Sequence, residues 1–363
     1  MDGRKERRRR LALWMAGFRW RTLPMAFLPV VTATVLARLQ GFPRSADGWP
    51  RFWLLAAFCL LVSLNLQIGV NFLNDYSDGT RGRDEARRAN REDGPVSGPV
   101  RLVASGVRPK AALAVAVGFL ALACLSGLVV VTLTGLWALM AVGVVCLAAA
   151  WAYSSGRHPY GMAGWGEVAA FLFFGPVAVL GTDCVLGSPW PFCPPAGFVR
   201  FGSAQPVFTC TCIFAYAFTF LACLIPGLFS ACLMMVNNLR DIDDDEFHGK
   251  RTLMVRWGRK RGEAVFAICL GALLLAQAGA FFLLVSSPFI PLIASGTHPL
   301  PPRSSLATMI VCCLTGLSIQ SVMDVSLWLR LHRRDFRRAL TLVSAAISFS
   351  AISFLPFAFL PLI

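Results

Sequence analysis

The sequence predicts an all-α membrane protein with nine transmembrane helices packed in one bundle. Hydrophobic residues make up 56% of the 363 positions and charged residues only 15%, whereas apolar residues and glycine together usually reach about 45–50% in soluble domains. So few charges could not cover the surface of a soluble particle of this size. The 34 Lys and Arg residues, which underlie a formal net charge of +15, fall in short clusters between long apolar runs. This pattern argues against a disordered or nucleic-acid-binding protein.

Nine apolar runs approach the about 17–25 residues that a spanning helix needs. In chain order they cover residues 22–37, 52–73, 111–132, 136–153, 165–186, 207–236, 264–285, 306–329 and 339–360. The sixth run contains Ile225-Pro226-Gly227, which predicts a kink or a tilt because proline interrupts the helical hydrogen bonds. The polar residues between the runs are too few to form a soluble domain, so we expect a single membrane domain.

The basic residues predict how the helices are oriented, because cytoplasmic loops of membrane proteins are enriched in Lys and Arg. With the N-terminus in the cytoplasm, 29 of the 34 basic residues face the cytoplasm, and the other five are Arg38, Arg44, Arg51, Arg200 and Arg303. We therefore expect a cytoplasmic N-terminus and a C-terminus on the opposite side. Residues 1–21 are expected to form a basic cytoplasmic arm with an interfacial segment. Residues 22–363 are expected to form the nine-helix domain, with cytoplasmic loops at 74–110 and 237–263.

Acidic residues concentrate in two short stretches that follow the second and the sixth apolar runs. Eleven of the 19 Asp and Glu residues lie at 75–93 and 241–246, both on the predicted cytoplasmic side. Two such groups at the membrane mouth would repel each other, at a cost of several kcal/mol, if they were left unpaired. Mg²⁺ relieves such repulsion, because it binds carboxylate oxygens and keeps positions free for substrate phosphates.

Helical spacing places the polar residues of each stretch on one face. In the first stretch the i, i+3 and i+7 positions are Asn71, Asn74 and Asp78, with Asp75 one position round the helix. In the second stretch the i, i+4 and i+8 positions are Asn237, Asp241 and Asp245. Cations that could hold a phosphate lie nearby at Arg81, Arg83, Arg101, Lys110, Arg240, Lys250 and Arg251. The pattern therefore predicts a metal-bridged diphosphate between two ridges, attached to a lipid because the ridges lie at the membrane.

Other interpretations of these stretches fit less well. Residues 241–252 lack the glycine at position six and the glutamate at position twelve of a calcium-binding loop. A secondary transporter would place its ionisable residues near the bilayer midplane, whereas these acids follow the helices. A lipid phosphotransferase of the CDP-alcohol type, faintly suggested by Asp78-Gly79 and Ala86-Arg87, needs one acidic motif rather than two. The Cys and His residues show no metal-ligand spacing.

Two motifs resemble those of the UbiA-type intramembrane prenyltransferases, and they read Asn74-Asp75-x-x-Asp78-x-x-x-Gly82-x-Asp84 and Asn238-x-Arg240-Asp241-x-x-x-Asp245. The resemblance narrows to the MenA-like branch, the 1,4-dihydroxy-2-naphthoate polyprenyltransferases, on Arg21-Thr22-Leu23-Pro24, Gly94-Pro95, Gly164-x-Gly166-Glu167 and Gly249-Lys250-Arg251-Thr252-Leu253. Trp20-Arg21 stands where that branch usually has Arg-Pro.

The resemblance implies a UbiA-type bundle and an enzymatic reaction. A polyprenyl group would pass from polyprenyl diphosphate to 1,4-dihydroxy-2-naphthoate in a Mg²⁺-dependent step that releases diphosphate and CO₂. The product would be demethylmenaquinone, an intermediate of menaquinone biosynthesis. A different aromatic or lipid acceptor is the alternative within the family. The protein would be a multi-pass protein of the plasma membrane, in contact with the lipid bilayer and not with nucleic acid, and its active site would face the cytoplasm.

The resemblance also implies roles for individual residues. Two Mg²⁺ ions are expected to bind Asp75, Asp78, Asp241 and Asp245. These aspartates are expected to be catalytic together with Asn238 and with Asp84, which would be a further metal ligand or a base. Contacts to the donor or the acceptor are expected from Asn74, Arg81, Arg101, Asn237, Arg240, Lys250 and Arg251. The roles of Asp84 and Glu167 stay open at this point.

Overall fold

The computed structural model describes residues 2–80, 102–103, 105–156, 159–187, 205–286 and 303–359. Regular structure in these ranges is entirely helical, which confirms the predicted all-α class. The helices are α1 (Asp2–Gly17), α2 (Pro24–Leu39), α3 (Trp49–Thr80), α4 (Pro109–Thr134), α5 (Ala138–Ser154), α6 (Gly166–Leu186), α7 (Gln205–Arg240), α8 (Ile242–Phe247), α9 (Leu253–Ser286), α10 (Arg303–His332) and α11 (Phe336–Phe359).

Each of the nine apolar runs predicted from the sequence lies largely on a helix of the described ranges. Within the described ranges, seven helices are long and apolar enough to cross a membrane, namely α3, α4, α6, α7, α9, α10 and α11. The segment Arg4–Thr22 and helix α2 meet the same criterion only as a pair, bent by 42°. Helix α5 is apolar but spans only Ala138–Ser154. The helices therefore support a multi-pass membrane protein, while nine crossings and the direction of the termini stay predictions.

Helix α7 forms the centre of the bundle. Its spanning segment, Phe214–Arg240, is 78% buried, whereas the corresponding shares of the other six long helices lie between 22% and 44%. Helices α2, α6, α9 and α11 pack around it, with Phe229 and Ile225 fully buried between them. The outer helices expose apolar side chains such as Leu125 on α4, as expected for surfaces that face lipid tails.

The backbones of α6 and α7 touch at two glycines. A Cβ atom on Gly175 would lie 2.6 Å from the Cys223 carbonyl oxygen and 3.1 Å from the Gly227 Cα. Around this point α6 widens into a π turn at Phe173–Val177, which contains Pro176. Pro176 has no backbone N–H to donate to the helical hydrogen bonds. Single π turns within α-helices are the usual form of this wider geometry. Helix α7 continues as one helix through Pro226, in the segment where the sequence predicts a kink or a tilt.

The N-terminal segment folds back onto the bundle. Its basic residues from Arg4 to Arg10 are exposed, while the end of α1 and the following residues pack their aromatic rings on α3. The ring of Phe18 lies 5.5 Å from that of Phe72 and 5.7 Å from that of Phe119 on α4. A short 3₁₀ turn, Trp20–Thr22, then leads into α2. This turn comes to lie beside the polar end of the bundle described below.

We expect Gly175→Ala to destabilise the protein, because the added Cβ would overlap a backbone oxygen that cannot rotate away. Overpacking of this kind costs about 1–3 kcal/mol, more than the gain of about 1 kcal/mol from replacing a helical glycine by alanine. Gly181→Ala on the same helix is the matched control, since its Cβ would have no atom within 4 Å. Thermal unfolding in detergent measures both variants, and equal midpoints would contradict the backbone contact.

Candidate active site

The carboxyl-terminal end of α3 contributes polar side chains to a cavity of about 1110 Å³. Helix α3 continues to Thr80, so the predicted helical spacing holds through the first acidic motif. Asn71, Asn74 and Asp78 all line the cavity, as their shared helical face predicts. Asp75 is only 1% exposed and is not one of the described residues that line the cavity.

The second acidic motif lines the same cavity at the end of α7. The helix ends at Arg240, and Asp241 has non-helical backbone angles. Two backbone hydrogen bonds nevertheless keep the four-residue repeat, from the Asp241 N–H to the Asn237 oxygen at 3.1 Å and from the Asp245 N–H to the Asp241 oxygen at 2.7 Å. Asn237, Asp241 and Asp245 therefore form the predicted ridge, and all three line the cavity together with Asn238.

Three aspartates of the motifs are paired with cations. Asp241 accepts two hydrogen bonds from the Arg240 guanidinium, both at 2.7 Å. The Lys250 ammonium lies 2.8 Å from Asp245 Oδ1, and the backbone N–H of Lys250 also donates to the Asp245 carbonyl. Arg19 Nη2 lies 2.5 Å from Asp75 Oδ1. The bases Arg19, Arg240 and Lys250 line the cavity, so the polar end carries acids and bases in contact.

Arg19 reaches Asp75 from an unusual backbone position. Its φ and ψ angles of 50° and 59° lie in the left-handed region, which costs a non-glycine residue about 1–2 kcal/mol. Asn71 holds this turn against α3, because its Nδ2 group donates to the Phe18 carbonyl and to Thr22 Oγ1, each at 3.1 Å. The amide predicted to lie on the polar face thus also fixes the position of Arg19.

Glu167 supports the second motif from α6. Its carboxylate is 3% exposed, and Oε1 accepts a hydrogen bond from Asn238 Nδ2 at 2.8 Å. Oε2 is buried without a hydrogen-bond partner in the described part of the chain. The role of Glu167 was open from the sequence alone. The stretch Gly164-x-Gly166-Glu167 was the signal that could have identified it as a site residue. The contact assigns Asn238 one amide orientation, with the NH₂ group on Glu167.

Other residues expected at the site lie at its margin or outside the described ranges. The Arg251 side chain is exposed and does not line the cavity, while its backbone N–H donates to the Met162 carbonyl at 2.9 Å. Arg81, Asp84 and Arg101 lie outside the described residues.

Between α5 and α6, burial raises the pKa of the Tyr160 phenol to about 12, so this hydroxyl stays protonated and donates to the Ala149 carbonyl at 2.9 Å.

From its polar end the cavity extends into an apolar chamber between α3, α4, α5 and α6. Its walls consist mainly of aliphatic and aromatic side chains, among them Val62, Leu66, Val70, Leu128, Val131, Met140, Leu147, Phe173, Phe174, Val177 and Val185. Such a chamber can bury a long hydrocarbon chain, and burial stabilises it by about 0.8 kcal/mol per CH₂ group. The cavity therefore suits a ligand with a charged head and an apolar tail.

The donor atoms at the polar end are those that hard cations prefer. Asn74 Oδ1 is buried without a hydrogen-bond partner in the described residues, and it lines the cavity with the carboxylates of Asp78, Asp241 and Asp245. Mg²⁺ binds such oxygens and usually takes its remaining ligands from water and phosphate. No three acidic, His or Cys side chains in the described ranges lie close enough to hold a metal by themselves, and water and substrate oxygens would supply further ligands of a bound ion.

The chain is similar to the proteins of one known family. The UbiA prenyltransferase family matches residues 26–307. The 1,4-dihydroxy-2-naphthoate octaprenyltransferase of Mycobacterium tuberculosis is 39% identical over 283 residues, which are 77% of this chain and 80% of that protein. The protein of the same name from Escherichia coli is 32% identical over 254 residues, 69% of this chain and 70% of its own length.

A solved structure shares the fold. The apo structure of a UbiA homolog from Aeropyrum pernix K1 superposes with a TM-score of 0.53, covering 90% of this chain and 96% of that chain at 16% identity. The fold likeness and the match over most of the sequence agree. The chain belongs to the UbiA prenyltransferase family and is a prenyltransferase.

Proposed function

We propose that this enzyme transfers a polyprenyl group from polyprenyl diphosphate to 1,4-dihydroxy-2-naphthoate, with release of diphosphate and CO₂, to give demethylmenaquinol, the reduced form of demethylmenaquinone. The proposal rests on one observation, a cavity that the two Asn/Asp ridges line at one end and that continues as an apolar chamber at the other. The acceptor is proposed from the names of relatives that are up to 39% identical. A different aromatic or lipid acceptor would leave the same donor chemistry in place.

The polar end is proposed to bind the donor diphosphate. Asp78, Asp241 and Asp245, with the amide oxygen of Asn74, would hold two Mg²⁺ ions. When bound, Mg²⁺ supplies the positive charge that lets the diphosphate leave. Arg19, Arg240 and Lys250 now neutralise aspartates. When a donor binds, the same cations lie close enough to the cavity to bind diphosphate oxygens instead.

The reaction follows from this charge distribution. The bond between C1 of the prenyl group and the diphosphate oxygen breaks, the bonding electrons leave with the diphosphate, and an allylic cation forms at C1. The ring carbon of the acceptor that carries the carboxylate attacks C1 with a ring electron pair. The carboxylate then leaves as CO₂, and the electrons of its carbon–carbon bond restore the aromatic ring. The apolar chamber excludes water, which would otherwise trap the cation.

The position in the cell is proposed from the charge distribution along the chain. Because 29 basic residues fall on one side of the predicted helices, the N-terminus and the acidic ridges are proposed to face the cytoplasm, with nine crossings of the plasma membrane. Residues 1–21 would then lie along the cytoplasmic membrane surface and residues 22–363 form the catalytic domain. Arg81, Asp84 and Arg101 are proposed to contact the substrates or metal from the cytoplasmic loop 74–110.

The purified enzyme should convert octaprenyl diphosphate and 1,4-dihydroxy-2-naphthoate to the prenylated product in the presence of Mg²⁺. Asp241→Asn and Asp245→Asn should each lower turnover by about 10²–10³-fold, as expected for the loss of a charge that stabilises the transition state. Asp243→Asn is the matched control, because its side chain is 91% exposed and pairs with Arg259 outside the cavity. Labelled naphthoate measures product, and full activity in Asp241→Asn would contradict the proposed ridge.

Arg19 and Asp75 should act as one unit. If Asp75 mainly positions Arg19, then Arg19→Gln and Asp75→Asn should each lower kcat/KM, and the double variant should be hardly worse than either single one. The coupling energy would then reach about 1–3 kcal/mol, the range for residues in one ion-pair network. A double-mutant cycle on kcat/KM measures it. Additive losses would instead show that Asp75 contributes separately, for example as the metal ligand predicted from the sequence.

Glu167 should act through Asn238. Glu167→Gln keeps an oxygen that can accept the Asn238 hydrogen bond and should retain most activity, whereas Glu167→Ala leaves the amide without its partner and should lower kcat by about tenfold. Product formation by both variants at saturating substrates measures the difference. Equal losses in the two variants would show that the charge of Glu167, rather than the orientation of Asn238, is what matters.

A further inference from the structure

Three cavity-lining side chains take no part in the acidic motifs and lie where the N-terminal turn meets the last helix. Trp20 and Arg21 belong to the 3₁₀ turn, and Arg337 lies in the first turn of α11. All three line the cavity, and α11 packs directly against the turn. Arg337 follows the segment matched by the UbiA family, which ends at residue 307, so the family match says nothing about it.

The charges of the two arginines are not used by the neighbouring acids. Arg19, Arg240 and Lys250 are each in contact with an aspartate, whereas Arg21 and Arg337 form no ion pair with any carboxylate in the described ranges. The acid nearest to Arg337 in sequence is Asp335. It is already engaged by Arg330 at 3.4 Å and Arg338 at 3.5 Å.

The aromatic ring of Trp20 is available to a ligand. Phe18 stacks on it with ring centroids 5.6 Å apart and an angle of 15° between the planes, yet 56% of Trp20 remains exposed. Phe18 in turn packs against Phe72 and Phe119. The indole is therefore held at the cavity edge, with surface left on which a flat aromatic ligand can stack.

The proposed acceptor is an aromatic carboxylate, and its negative charge needs a cation that does not also bind the donor. A carboxylate bound by Arg240 or Lys250 would compete with the diphosphate for the bases of the acidic motifs. Guanidinium groups bind carboxylates through two parallel hydrogen bonds.

We propose that Trp20, Arg21 and Arg337 form the acceptor subsite, in which Trp20 stacks on the aromatic ring and the two guanidinium groups bind its carboxylate. The inference rests on the proposed function and adds to it the residues that select an acceptor with a carboxylate. Lys250 and Arg240, which the sequence analysis considered for either substrate, then belong to the donor diphosphate.

The test compares two acceptors that differ only in the carboxylate, 1,4-dihydroxy-2-naphthoate and 1,4-dihydroxynaphthalene. Arg337→Gln and Arg21→Gln should each raise the KM for the naphthoate by about 10- to 100-fold, the effect of losing a hydrogen bond to a charged group. The KM for octaprenyl diphosphate and the inhibition constant of 1,4-dihydroxynaphthalene should stay within about twofold of wild type, since neither ligand reaches these groups through a carboxylate. Arg338→Gln is the matched control, because Arg338 is the next residue on α11 and pairs with Asp335.

Three further measurements separate the possible outcomes. Trp20→Leu should weaken both naphthalene ligands equally, and Arg337→Lys should restore part of the affinity for the naphthoate. Unfolding temperatures of all variants should match wild type, because the substituted side chains are exposed. An unchanged naphthoate KM in both arginine variants, or a raised KM for the diphosphate, would overturn the subsite while the proposed function stands. A wild-type enzyme that makes no product from the naphthoate would overturn the proposed function and this inference together.

Discussion

Carboxylates held at the edge of a lipid bilayer need counter-charges, because an unpaired charge in low dielectric costs several kcal/mol. In this protein Asp75, Asp241 and Asp245 meet that need with Arg19, Arg240 and Lys250. The Arg19–Asp75 pair also joins the N-terminal turn to α3, 56 residues later in the chain. The rest of the architecture brings three chain segments to these pairs, namely the N-terminal turn, the end of α3 and the α7–α8 junction.

The same constraint explains why the cavity has two unlike ends. Charged groups gather where α3 and α7 end, whereas the spanning parts of the helices offer mainly apolar walls because they face lipid or one another. A ligand with a diphosphate head and a hydrocarbon tail matches both ends at once. Gly175 and Gly227 allow the backbones of α6 and α7 to touch. The apolar wall that α6 contributes to the cavity therefore lies directly against the central helix.

The parts of the site that depend on local periodicity could be predicted from the sequence. Apolar runs predicted the helices, and the i, i+3, i+7 and i, i+4, i+8 spacings predicted which of Asn71, Asn74, Asp78, Asn237, Asp241 and Asp245 share a face. Helical geometry also placed Asp75 one position away from this face, and its role as a metal ligand stays a prediction. Its pairing with Arg19 depends on a left-handed backbone position 56 residues earlier in the chain, which no local pattern encodes.

The contact between Glu167 and Asn238 could not be predicted from the sequence for the same reason. These residues lie 71 positions apart on different helices, so only the packing of α6 against α7 brings them together.

The sequence predicts the number of membrane crossings only as a count of apolar runs. Whether a run such as residues 136–153 crosses the bilayer depends on its length relative to the membrane thickness and on its neighbours, and α5 has only 17 residues.

The packing of α11 against the N-terminal turn and α2 has a consequence for how the protein is made. Helix α2 ends at Leu39 and α11 begins at Phe336, so the wall they share joins a helix translated early to the last helix that the structure describes. A nascent chain that has already inserted α3 and α7 carries both acidic motifs but lacks one wall of the cavity. The cavity that the described residues form is therefore complete only after α11 has been translated.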